Sequence, residues 1–433
     1  MTFSRFRGRG CRIWAVWAIG VAIYLLAIFH RSSLAVAGLA ASDRFDISAS
    51  QLATFTVLQL LVYTLMQIPA GLLVDRYGPR TLLFTGLMVM TFAQMAFALS
   101  TTYAGALGAR FFVGLGDAVV FISVLRLVQS WFPLHRVPLL NQLTGTIGGL
   151  GGIVAAVPMT WALGHLGWTA AYMIAASLGP LLAIALVATM HDAPGRRNAR
   201  GRAMKPAELA GSLVATWRQP GTKLGFWIHF TTPFSATTLT LLWGYPFFVE
   251  GQGRSETTAG SLLTMISVVS LVAGPLLGWY AGRRPYSRST AALAVIGGLV
   301  LTWTLVLAWP GQAPMWALVA MCLVVGVSGP ASVMGIDLGR TSNPHERGAS
   351  VTGLINQGGF IAALAMVLGV GQVLDLLGGS GGGHSPEAFG WAFALQYVLW
   401  GLGLVQIVRH RSRLRRHVTV EQVNGGSTMV LAA

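Results

Sequence analysis

Residues 71–80 read Gly71-Leu72-Leu73-Val74-Asp75-Arg76-Tyr77-Gly78-Pro79-Arg80, a short charged turn between two long apolar runs. Gly71 lets one helix lie close against another. Gly78 permits the left-handed backbone of a very tight connection. Asp75 is placed to accept hydrogen bonds from a helix N-terminus or from an arginine. Arg76 and Arg80 hold the turn on the side of a membrane where basic residues stay. The stretch makes sense as the inner turn of a membrane hairpin, and the rest of the chain agrees.

Of 433 residues, 54% are apolar before the 54 glycines are counted, and only 10% are charged. A soluble domain runs near 45–50% apolar with glycine included and about 25% charged, which excludes a soluble enzyme and a disordered chain. Apolar runs fall at 13–41, 52–74, 81–99, 103–130, 139–164, 168–190, 223–249, 258–282, 289–309, 313–338, 348–377 and 388–408. Each has roughly the 20 residues that cross ~30 Å of hydrocarbon as a helix. None alternates with period two, so the runs are helices and not barrel strands. The expected fold is all-α: a polytopic membrane protein with twelve transmembrane helices.

Basic residues orient it. With both termini cytoplasmic, 24 of the 29 Lys+Arg fall on inner segments and only Arg44 and Arg254 on outer loops. Arg31, Arg110 and Arg126 lie within spans. The bias predicts a multi-pass protein of the cell membrane. It also accounts for the net charge of +16 as an attraction to anionic lipid headgroups; a nucleic-acid partner is not expected, since no recognition fold is visible. Cys11 and Cys322 form no disulfide framework. The first run is read as a retained helix and not a cleaved signal, despite Ala35-Val36-Ala37.

The polar, Arg-rich segment 191–222 divides the spans six and six. Expected domains are an N-terminal bundle at 1–190, the linker at 191–222, a C-terminal bundle at 223–410 and a basic tail at 411–433. The halves echo each other. Pro133-x-x-Arg136 with Gln142 and Gly148-Gly149 recurs as Pro344-x-x-Arg347 with Gln357 and Gly358-Gly359. Gly71-x-x-x-Asp75-Arg76 recurs, degenerate, as Gly278-x-x-x-Gly282-Arg283. Six-helix repeats of this kind are a transporter architecture.

The 71–80 turn resembles the signature loop of the major facilitator superfamily, G-x-x-x-D-R-x-G-R-R, with Pro79 in place of an arginine. Arg110-x-x-x-Gly114-x-Gly116 is similar to its mark in span 4. The resemblance covers nearly the whole chain. It implies two six-helix bundles, alternating access and a conformational latch built on Gly71, Asp75, Arg76, Gly78 and Arg80.

A charge at the bilayer centre costs about 2.5–3.5 kcal/mol to insert, so the charges inside spans need partners or tasks. Arg110 and Asp117 are two helical turns apart, about 10 Å, on one face. Arg126 is half a turn out of phase and near the inner end, and is expected to pair with Asp75. In the second half the signs are swapped, with Asp337 expected beside Arg283 or Arg284. Two other readings stand beside these: the charges simply reach inner headgroups, or Arg126 pairs with Asp337.

Arg31 and the pattern Arg110-x-x-x-Gly114-x-x-Asp117 resemble the anion:cation symporters of the superfamily, which carry an arginine in span 1 and R-x-x-x-G-x-x-E in span 4. His30 stands where many of them have Asp. The resemblance implies substrate binding at Arg31 and proton coupling at Asp117 with Arg110. A guanidinium fork suits a carboxylate, and Asp117 would take a proton according to which arginine is free. The alternative is a static brace in which Arg110 and Arg31 both pair with Asp117. Gln59 and Tyr63 on one stripe, Thr231, Ser235 and Thr238 on another, and Asn356 are further substrate-binding candidates; interhelical hydrogen bonds are their ordinary use.

No catalytic motif, metal spacing or cofactor fingerprint survives inspection, and Gly114-x-Gly116 and Gly149-x-Gly151 are helix-packing glycines outside any βαβ unit. The expected function is secondary active transport: proton-coupled uptake of a small organic anion by a monomer. The alternative is a proton-coupled efflux antiporter for lipophilic compounds, disfavoured because Gly145-x-x-x-Gly149 is followed by Leu150 and not Pro. A sensor homologue is a third class, for which no signalling domain is present.

Overall fold

The computed structural model describes residues 3–47, 49–201, 205–377 and 385–417. Arg202, the tail from 418 to 433 and the side chains of Arg5, Arg7, Arg9 and Cys11 lie outside the described residues. Among the described residues there is no strand, only an isolated bridge between Ala193 and Arg196. The chain divides into two compact units, Met1–Ala210 with Glu346–Gly353, and Gly211–His345 with Leu354–Ala433.

The first unit holds α1 (Phe3–Val36), α2 (Gly38–Phe45), α3 (Ala49–Tyr77), α4 (Pro79–Leu99), α5 (Tyr103–Trp131) and α6 (Val137–Thr189). Helix α7 (Pro206–Arg218) contains the boundary. The second unit continues with α8 (Pro220–Thr231), α9 (Phe234–Thr238), α10 (Gly244–Pro246), α11 (Glu256–Arg283), α12 (Arg288–Leu307) and α13 (Met315–Thr341). Helix α14 (Gly348–Leu377) starts in residues grouped with the first unit, and α15 (Pro386–His417) completes the second.

Ten of the described helical segments are long and apolar enough to cross a membrane. Twelve separate runs were expected, and local chemistry explains the difference. The runs 139–164 and 168–190 join in α6, which turns at Gly167 with φ 78° and ψ 174°. The run 223–249 is interrupted: π turns at Leu239–Trp243 and Phe247–Gly251 separate the short α pieces. Pro233 and Pro246 remove ladder donors within this run.

Glycines set the closest approaches in the first unit. A Cβ on Gly86 would lie 2.7 Å from the Gly116 carbonyl, and one on Gly116 would lie 2.6 Å from that of Gly86. These two fix α4 against α5, backbone to backbone. Gly151 does the same for α6 against α1, where a Cβ would meet Leu25 O at 2.3 Å. The second unit is held by aromatics. Fully buried Trp303 stacks on Phe393 at 5.0 Å and 17°, and Phe393 packs on Phe247 at 4.7 Å.

The linker docks on the α3–α4 turn of the first unit. Gly78 has φ 85° and directly precedes α4. Beneath it, the Asp192 carboxylate accepts from the backbone N–H groups of Arg80 (2.7 Å) and Ala199 (2.6 Å). One carboxylate therefore caps α4 and folds the linker. Arg80 donates to Asn198 Oδ1 and to the Val187 carbonyl, and Arg76 to the Gly201 carbonyl. Asp192→Ala should lower stability by about 1 kcal/mol, as the loss of a cap does. Gly78→Ala should cost more, about 1–3 kcal/mol for the backbone alone, because its Cβ would also fall 2.2 Å from Asp192 Oδ2. Thermal unfolding midpoints of the two variants in detergent check this order.

Candidate functional site

Three helices of the first unit bring the buried charges together. Arg31 comes from α1, Gln59 and Tyr63 from α3, and Arg110 and Asp117 from α5. Arg31 grips Asp117 with a two-point fork, Nε to Oδ2 at 2.8 Å and Nη2 to Oδ1 at 2.9 Å. The Asp117 side chain has no solvent exposure, whereas that of Arg31 keeps 29%. The guanidinium also lies over the Tyr63 ring, 4.6 Å from its centroid, a cation–π contact. Tyr24 is an electrostatic neighbour of Arg31, Tyr63 and Asp117. It was not singled out from the sequence, although it lies seven residues before Arg31 and therefore on the same helix face.

Arg110 has other company. Its Nη1 donates to the His30 carbonyl at 3.0 Å, and its Nη2 to the Arg31 carbonyl at 3.2 Å and to Gln59 Oε1. Of the static brace, the Arg31–Asp117 half is formed; Arg110 makes no ion pair with Asp117, although the two interact electrostatically. Gly114 faces α3 here, where a Cβ would stand in ordinary contact, 3.4 Å from Gln59 Cγ.

At the α3–α4 turn, Asp75 receives both kinds of partner open to it. Arg126 Nε lies 3.8 Å from Oδ1. The carboxylate also accepts from Ala349 N (3.0 Å), Ser350 N (2.7 Å) and the Ser350 hydroxyl, capping the first turn of α14. Gly71 is the contact point: a Cβ there would lie 2.7 Å from Ala349 O.

In the second unit, Arg283 stacks on the Trp279 ring at 4.4 Å. Asp337 is buried, and its main-chain carbonyl accepts from Arg288 Nη1 at 3.4 Å. Arg288 is a cation that sequence reasoning passed over because it opens a span. Thr231 and Thr238 donate to carbonyls of their own helical run, Trp227 O and Phe234 O. Ser235 Oγ accepts from Trp303 Nε1 at 2.9 Å. Asn356 bonds the buried His229 ring, whose Nδ1 lies 3.1 Å from Ser332 O. Among the described residues no group of three or more His, Cys, Asp or Glu side chains is arranged to hold a metal.

Removing one partner of a buried pair strands the other charge. Arg31→Met should therefore destabilise the protein by on the order of 3 kcal/mol. The double variant Arg31→Met/Asp117→Asn should recover most of that loss. Unfolding midpoints of the two proteins measure the difference.

The sequence model of the Major Facilitator Superfamily matches residues 16–370. A protein of Bacillus subtilis described as a probable galactarate/D-glucarate transporter, GudP, is 21% identical over 84% of this chain and 87% of its own. The D-galactonate transporter of Escherichia coli is 24% identical over 86% of this chain and 89% of its own. In solved structures, the proton:xylose symporter XylE shares the fold with TM-score 0.67 at 13% identity, covering 92% of this chain and 96% of its own. The transporter FucP in its outward conformation does so with TM-score 0.63 at 17% identity, covering 89% and 98%. With the signature turn in place and the family match spanning most of its length, this chain belongs to the major facilitator superfamily: it is a multi-pass membrane transporter and not an enzyme.

Proposed function

We propose that the protein takes a small organic anion of the sugar-acid type into the cell together with protons, by alternating access. The observation that carries this reading is the Arg31–Asp117 fork, a partly exposed cation tied to a fully covered acid. A guanidinium presents the planar, two-point geometry that a carboxylate matches. A substrate carboxylate arriving at Arg31 competes with Asp117 for the same N–H groups. Gln59 and Tyr63 stand beside the fork as candidates to hold the rest of the substrate. Released from Arg31, Asp117 takes a proton, because an isolated carboxylate is costly to keep ionised away from water. The names of the relatives, transporters of galactarate, D-glucarate and D-galactonate, support an acidic sugar as the cargo.

The inner cluster is the proposed latch. Asp75, supported by Gly71 and Arg126, holds the α14 N-terminus, while Gly78, Arg76 and Arg80 bind the linker. Arg283 and Asp337 are its proposed counterparts in the second unit. In this reading the protein lies in the cell membrane with both termini cytoplasmic, basic segments against anionic headgroups, and works as a monomer.

Proteoliposomes with and without an inward proton gradient test the reading. The cargo panel is D-galactonate, galactarate, D-glucarate and a lipophilic cationic drug. At least one sugar acid should be taken up, faster with the gradient. Arg31→Ala should reduce that uptake at least about tenfold. Asp117→Asn should abolish the stimulation by the gradient. If no acid moves and drug export survives Arg31→Ala, the protein is an efflux antiporter. Uptake that still follows the gradient in Asp117→Asn removes the coupling role from Asp117.

A further inference from the structure

We infer that Arg110 is a positioning residue: it fixes the α1 backbone at Arg31 so that the Arg31 side chain is free to exchange partners. The inference rests on the proposed role of Arg31 and assigns Arg110 a task distinct from proton coupling.

Arg110 is a guanidinium with 1% exposure. Among the described residues no carboxylate forms an ion pair with it. Its hydrogen bonds go to three neutral oxygens, and two of these are consecutive peptide carbonyls, His30 O and Arg31 O. Those carbonyls already belong to the α1 ladder, and His30 O accepts from the Ser33 hydroxyl as well, at 2.9 Å. A cation placed on such oxygens holds a backbone. Neither ring nitrogen of buried His30 has a partner among the described residues, so what His30 gives this cluster is its carbonyl.

The location of the clamp matters. Five residues after Arg31 the helix ends at Val36, and the chain bends at Ala37 before α2. The end of a helix is where its own hydrogen bonds hold least. Arg31 is partly exposed, so protein packing does not fix it on every side. A fork that must align two N–H groups with two oxygens loses much of its strength from a shift of about 1 Å. Arg110 supplies the missing constraint from α5, the helix that also carries Asp117. Both halves of the ion pair are thereby referred to one element.

Arg110 is itself held. Gln59 Oε1 takes one arm, and the Phe97 ring lies 5.4 Å from the guanidinium carbon. Covered and committed in this way, it is not a ligand for cargo. A guanidinium does not deprotonate in proteins, so it is not a proton carrier either. Lysine is a poor substitute, because a single ammonium on a flexible stem cannot bridge two carbonyls and an amide in fixed directions.

The test is a set of double-mutant cycles on the full chain in detergent, without ligand, read as unfolding midpoints. Arg110→Lys is combined with Asp117→Asn and, separately, with Arg31→Met. If Arg110 acts through the fork, the loss caused by Arg110→Lys should shrink by at least about half in either background, whereas independent sites add. Gln59→Leu, which removes one of the three acceptors, runs the same cycles should Arg110→Lys fail to fold. In proteoliposomes, Arg110→Lys should raise KM for the sugar acid carried by about tenfold with kcat within about twofold, and should add nothing to Arg31→Met. Equal losses in every background, or an unchanged KM, overturn the inference. If the wild-type protein carries no sugar acid, the cargo reading falls and the unfolding cycles alone decide the role of Arg110.

Discussion

A carboxylate that stays ionised with no access to water needs a cation, and Asp117 finds Arg31. Much of the first unit serves that match. The pair needs α1 and α5 side by side, and Gly116 on α5 lets α4 close against the same helix from another side. It needs α3 close enough for Tyr63 to cover the guanidinium. Burying two charges costs several kcal/mol before their attraction offsets it. An apolar pair would pack there more cheaply, so stability alone gives no reason to keep the ions. A pair that is expensive, two-pointed and exposed on one side only is suited to being broken and remade.

The same physics appears at the α3–α4 turn with different hardware. Asp75 is also a nearly covered acid, but its partners are a cation 3.8 Å away and two backbone N–H groups at the start of a helix. Charge-assisted bonds to a helix N-terminus are strong and directional. Asp192 repeats the device one turn of chain away, at the start of α4. Two carboxylates thus cap two helix starts around a single connection. This explains why that connection tolerates no side chain at Gly71 or Gly78. It also gives Arg76 and Arg80 a use beyond orientation, since both bind the linker.

Much of this was legible in the sequence, and the remainder was hidden for identifiable reasons. Apolar runs reveal helices because lipid permits little else. They do not reveal that Gly167 joins two runs into one bent element, nor that Pro233 and Pro246 break another into pieces. Position along the spans put Asp75 within reach of Arg126, because both sit at the same ends of their helices. Helix phase put Arg110 and Asp117 on one face, yet a shared face is not a shared bond. Arg110 found peptide carbonyls, and carbonyls leave no trace in a side-chain pattern. Asp192 was invisible for a related reason: its partners are backbone N–H groups, one of them in a turn more than a hundred residues earlier.

On the proposed reading, the geometry of the fork sets the order of events. Both Asp117 oxygens are occupied by Arg31 N–H groups, one each. While they are, the acid has no free oxygen facing water, and a proton has no open place to bind. Arg31 is different, because part of its side chain is exposed. An anion therefore reaches the cation before a proton reaches the acid. Only when the anion has taken over the fork does Asp117 open, and only then is protonation favourable. The reverse order would require the fork to open with nothing replacing it, which leaves a buried ion unmatched at a cost of several kcal/mol. Coupling then needs no second charged relay: competition of two carboxylates for one guanidinium is enough, provided that the guanidinium stays in place while its partner changes.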